Sequence, residues 1–188
     1  MDRRDYLKRL AELGLCTGAL SFLNFNDEKN FAAVKPDDEL ERLKSQKEFI
    51  QNWLIDLLDT MDKVLDDETK VKLIEGCGKG CFDRHKFKQD IAAKGKDNLE
   101  KLIDAYKQNF EIWKDGDLVH IRYGEVSPLC YCPAANYRTP KENDLHCECT
   151  RMTHQTIFET AMGRPFKVDV LESLRRGGKT CHFAVHLT

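Results

Sequence analysis

The chain has 188 residues, 41% of them hydrophobic, which is enough apolar content for one domain with a real core. Its formal net charge is −2, and its 30 basic and 32 acidic residues interleave along the chain. That balance leaves no basic footprint for nucleic acid, and no stretch approaches the length of apolar chain that a membrane span requires.

The anomaly is eight cysteines. They suit either a metal site in a reducing compartment or disulfides in an oxidising one. Compartment therefore governs how they are read.

The first thirty residues contain "RRDYLK" (3–8), which resembles a twin-arginine export motif, followed by the weakly apolar run Ala11 to Phe25. Residues 1–30 read as a leader and 31–36 as a polar tether. The rest, 37–188, reads as a single domain. Export to the periplasm or cell envelope is the expectation. An amphipathic helix at the start of a cytoplasmic protein is the alternative, suggested by Glu12 inside the run and by the lack of a small-x-small cleavage site.

From Asp37 to Leu65, apolar residues at three- and four-residue steps (Leu40, Leu43, Ile50, Leu54, Leu57, Met61, Val64) predict a long amphipathic helix. Phe49, Trp53, Leu58 and Leu65 would widen its buried stripe. "DDET" caps a second helix carrying Val71, Ile74 and Cys77, and a third is expected from about Asn98 to Trp113. "DLVHIRYG" (117–124) alternates as a strand does after the "DGD" turn. Residues 125–150 are irregular and hold four cysteines. "THQTIFETAMG" predicts a short helix, with Thr153 as N-cap and Gly163 as its stop. Two strands joined at "RGGK" close the chain. Helices first and strands later indicate an α+β fold, N-terminal helices followed by an antiparallel sheet with a short helix.

Leaving Cys16 to the leader, six cysteines fall into close pairs: Cys77 with Cys81, Cys130 with Cys132, and Cys147 with Cys149. On a helix, a spacing of four stacks two sulfurs on one face. In extended backbone, a spacing of two turns both side chains the same way. Either geometry can offer two thiolates to one ion, and four nitrogen or sulfur ligands complete a structural zinc site. His146 adjoins Cys147 and can replace one thiolate. Zinc or an iron–sulfur cluster fits this count. Disulfides joining different pairs fit it too, since a bridge within Cys-x-Cys is strained.

Cys181 shares a face with Phe183, Val185 and Leu187 and reads as a core residue. His182 and His186 lie on the opposite face, roughly 13 Å apart, too far to chelate one ion together. "GCGKGC" (76–81) is neither a phosphate loop nor a dinucleotide fingerprint, so no nucleotide is expected. Its three glycines suggest a weak helix end, or close backbone approach to the cysteine-rich segment 130–149. The three cysteine pairs are expected to meet in space.

The layout of "CECTRMTHQTIFETAMGRPFKVDVLESLRRGGKTCHFAVHL" (147–187) is a cysteine pair, a helix, a strand, a glycine-containing turn, then a closing strand of the form Cys, x, Phe, x, aliphatic. It resembles the end of the L-2-amino-thiazoline-4-carboxylic acid hydrolase-like family and, more distantly, the 4-vinyl reductase domain. The resemblance covers about residues 128–188. It implies an α+β, 4-vinyl reductase-like ligand-binding domain with cysteines near the pocket and a small-molecule ligand. It also implies a possible ring-opening hydrolysis, for which Glu148 and Glu159 are the candidate bases. Three readings follow: a cysteine-rich, metal-containing small-ligand-binding protein, a hydrolase of a small cyclic or amide substrate, and a disulfide-stabilised envelope protein.

Overall fold

The computed structural model describes residues 36–132 and 138–188. The expected leader and Cys16 lie outside them. Residues 1–46 and 47–188 form two compact units. The described part of the first is the opening of the long helix α1, Pro36–Val64. No helix among the described residues is long and apolar enough to cross a membrane.

Helix α1 forms as its periodicity predicts, but the stripe is not the buried one expected. Phe49 is 73% exposed and Trp53 57%, while Leu54, Leu58, Met61 and Leu65 are half-buried.

The remaining elements belong to the second unit. Helix α2 (Asp67–Arg84) starts at Asp66, whose carboxylate accepts from the Thr69 amide at 2.9 Å, as the cap signal indicates. It does not weaken at "GCGKGC" but runs through it. Two elements went unanticipated. Helix α3 (Lys86–Lys94) is one; strand β1 (Glu111–Asp115) is the other, and it replaces the second half of the expected third helix. That helix, α4, stops at Tyr106 (Leu99–Tyr106), because "EIWKDGDLVHIR" folds as a hairpin with Gly116 at φ +57°. Only glycine adopts that conformation without strain.

Strands β1, β2 (Leu118–Arg122), β3 (Lys167–Glu172) and β4 (His182–His186) form one antiparallel sheet in the order β1-β2-β4-β3. β3 and β4 pair as expected. Their link is not a tight "RGGK" turn but residues 173–181, containing a 3-10 turn at Leu174–Arg176.

Helix α5 (Glu148–Met162) begins five residues before Thr153, so Thr153 is no cap. Its hydroxyl, buried inside the helix, donates to the Gly78 carbonyl at 3.0 Å. Gly163 ends α5 in the left-handed conformation, φ +66°, as expected. The core lies where α4, α5 and one sheet face meet: Leu102, Tyr106, Val119, Ile121, Ile157, Phe158, Phe183 and Val185 are essentially inaccessible. The molecule is thus α+β, with helices preceding an antiparallel sheet.

Candidate functional site

A pocket of about 900 Å³ opens between α2, α3, α5, the end of β2 and the irregular segment after it. Six cysteines line it: Cys81, Cys130, Cys132, Cys147, Cys149 and Cys181. The three pairs therefore converge, with one exception: Cys77 is exposed and is not a lining residue. None of the seven described cysteines is joined to another in a disulfide.

The segment carrying Cys130 and Cys132 is held by buried polar groups. Ser127 Oγ donates to the Tyr123 carbonyl at 2.7 Å, and Thr180 Oγ1 to that of Gly124 at 2.8 Å. Further on, Arg175 donates to Asp144 at 3.0 and 2.6 Å and to the Thr139 carbonyl at 3.0 Å. Asp144 is 1% exposed and Arg175 2%. Asp144 also accepts from the His146 amide at 2.8 Å, shaping the 3-10 turn Leu145–Cys147.

That turn runs directly into α5, so Cys147 and Cys149 sit on helical rather than extended backbone. Two helical residues two apart diverge. Cys147 Sγ lies 2.7 Å from Ser173 Oγ and also interacts with the Cys181 thiol. The Cys181 interaction, then burial, raises the Cys147 thiol well above its ordinary value, and the same interaction lowers Cys181. Cys181 is in the core as expected, and also on the pocket wall. Cys149 faces the other group: burial, then the neighbouring Cys132, Cys81 and Cys77, push it up to about 12. Burial likewise raises Cys130.

His146 Nε2 lies 3.1 Å from Cys132 Sγ. Burial lowers its pKa, and its Nδ1 is a buried ring nitrogen with no hydrogen-bond partner among the described residues. Cys81 accepts from the Lys88 ammonium at 2.8 Å. Among the described residues, no three His, Cys, Asp or Glu side chains converge tightly enough to hold a metal ion as they stand.

Neither candidate base lines the pocket. Glu148 is ion-paired to Arg151 and, at 2.9 Å, to Arg176. Glu159 accepts from Gln155 at 2.8 Å and from the Phe166 amide at 3.3 Å. The one carboxylate on the wall among the described residues is Glu111, bound to Arg122 at 2.6 Å.

Beneath the thiols lies a cluster that the sequence analysis did not single out. His154, 2% exposed, sits between two tyrosines: Tyr106 Oη is 3.2 Å from Nδ1 and Tyr123 Oη 3.1 Å from Nε2. Burial, reinforced by the charge of Lys88, pushes His154 down to about 3. A signal existed: His154 falls on the same helix face as Ile157, Phe158 and Ala161, one polar residue in an apolar stripe. On the far sheet face, His182 meets His120 across the strands, Nε2 to Nδ1 3.0 Å, and His186 meets Asp169 at 2.7 Å, so the two histidines act separately as expected.

A model of a family of unknown function, DUF6144, matches residues 26–188, and the chain belongs to that family. No curated protein matches. Among solved structures, a vinyl-4-reductase family protein from Methanocaldococcus jannaschii is similar over 73% of this chain and 78% of that one, with 13% identity and a TM-score of 0.35.

Proposed function

We propose that the protein binds a small molecule in the thiol-walled pocket, and that some of those thiols hold a zinc ion or an iron–sulfur cluster. The observation that carries this reading is the convergence of six cysteines on one pocket of about 900 Å³, a size suited to a small ligand. A soft donor set of this kind suits zinc or iron. Cys81, Cys132, Cys149 and His146 are the natural ligand set, because Cys132 and Cys81 neighbour Cys149 and His146, 3.1 Å from Cys132, brings a nitrogen with no partner among the described residues. Side-chain rotations would have to close them around an ion. The thiols release their protons on binding a cation, and the bound cation offsets the mutual repulsion of the thiolates so formed.

A hydrolytic function is less well supported, since both carboxylates proposed as bases are engaged away from the pocket. A disulfide framework lacks support from the free thiols. The leader-like start favours the cell envelope as location.

Elemental analysis of protein purified anaerobically from its native compartment tests the metal reading. About one equivalent of zinc, or the iron of a cluster, is expected, falling sharply in Cys149→Ser. Absence of both metals refutes it. Fractionation of cells producing the full chain tests the location: recovery in the cytoplasm alone would exclude export.

A further inference from the structure

The pocket wall carries one hydrogen bond whose direction can be deduced. Tyr106 is fully inaccessible, and its hydroxyl has one partner among the described residues, His154 Nδ1. His154 is neutral in the folded protein, so one ring nitrogen donates and the other accepts. If Nδ1 carried the proton, the Tyr106 O–H would be a buried donor with no acceptor. Such groups are costly and correspondingly rare. With Nδ1 bare, the Tyr106 O–H donates to it, Nε2–H donates to Tyr123 Oη, and Tyr106 and both His154 nitrogens are satisfied. The Tyr123 proton is then spent on neither partner. Tyr123, unlike Tyr106, lines the pocket.

We propose that the Tyr106–His154–Tyr123 chain aims the Tyr123 O–H into the pocket as the anchor for a carbonyl oxygen on an apolar, ring-sized ligand. The outward end of the chain is a donor, so it selects an acceptor. Burial, with smaller contributions from Cys181, Cys81, Cys147 and Cys130, raises the Tyr123 pKa, so it stays protonated there. The ligand body meets Phe110, whose ring centroid is 4.8 Å from that of Tyr123, Tyr131 at 5.6 Å, and Ile157. Tyr106 and His154 are positioning residues; Tyr123 makes the contact.

This inference rests on the small-ligand reading of the pocket but not on the metal. Acetophenone and its isostere α-methylstyrene, which lacks the acceptor, are the probes, measured by calorimetry or ligand-observed NMR. The full-length protein should bind acetophenone about three- to tenfold more tightly, the worth of one neutral hydrogen bond. In Tyr123→Phe that preference should vanish while α-methylstyrene binding holds. Equal affinities in the unaltered protein, or binding of neither probe, overturn the ligand class. Independently of any ligand, nitrogen-15 NMR should find His154 protonated at Nε2 and bare at Nδ1; the opposite tautomer overturns the relay even if Tyr123→Phe fails to fold. An acetophenone preference in protein devoid of metal removes the metal reading and leaves this one standing.

Discussion

Gly78 and Cys149 bring two helices into contact: a Cβ on Gly78 would stand 2.3 Å from the Cys149 carbonyl oxygen and 2.9 Å from Met152 Cβ. The middle glycine of "GCGKGC" is there because α5 leaves no room for a side chain, and the Thr153 hydroxyl bonds the Gly78 carbonyl across the same contact. Gly76, by contrast, is exposed, with nothing within 4 Å of where its Cβ would be.

Gly78→Ala should therefore destabilise the protein by about 3 kcal/mol, the upper range for overpacking. Gly76→Ala should stabilise it by about 1 kcal/mol, the helix-propensity difference. Urea denaturation of both variants checks the pair. Equal effects would mean that α2 and α5 do not meet at Gly78.

Arg175 and Asp144 are paired at 2.6 Å, both nearly inaccessible. Removing one partner strands a buried charge. Asp144→Ala is expected to cost about 3–5 kcal/mol, and the added change Arg175→Met should recover part of that loss. Denaturant midpoints of the single and double variants test this. A double variant no better than the single one contradicts it.

The folded protein holds His154 neutral, with a pKa near 3, whereas in an unfolded chain it titrates near 6.5. Because the folded value is the lower one, its contribution is complete above pH 6.5 and is lost as pH falls towards 3. The groups facing it are the hydroxyls of Tyr106 and Tyr123, whose ionisation burial pushes upward, and the Lys88 ammonium of α3. Stability should drop by about 2 kcal/mol between pH 7.5 and pH 5 from this group alone. In His154→Gln that portion of the slope should disappear. An unchanged slope would show that His154 is not buried as described.

The cysteines should react in an order set by exposure and thiol pKa. Cys77, exposed, should be alkylated by iodoacetamide first. Cys147, buried, and Cys149, half-buried, both with raised thiols, should be last in metal-free protein. Mass spectrometry of a time course reads this directly, and early labelling of Cys147 would contradict its seat against Ser173 and Cys181.

Local pattern made α2, the α5 stop at Gly163, the "DGD" turn and the pairing of β3 with β4 legible, because each depends on a cap, a period or a left-handed glycine within a few residues. Strand β1 was not legible. "NFEIWKD" continues the helical spacing of Leu102, Ile103 and Tyr106, and only pairing with β2 makes it extended. The three cysteine pairs announced a shared location, yet their individual aims did not follow from spacing. The Cys147–Cys149 pair straddles the start of a helix and sends one sulfur to Ser173, the other towards Cys132 and Cys81.

By itself the sequence determined the α+β class, the core face of β4 and the existence of a cysteine cluster, since periodicity and spacing are properties of neighbouring residues. Tertiary structure decided which glycine is indispensable, which cysteine stands outside the pocket, and how His154 is wedged between two tyrosines. Those depend on groups 31 to 75 positions apart in the chain meeting in a closed space. There, excluded volume and the need to satisfy every buried polar atom leave one arrangement.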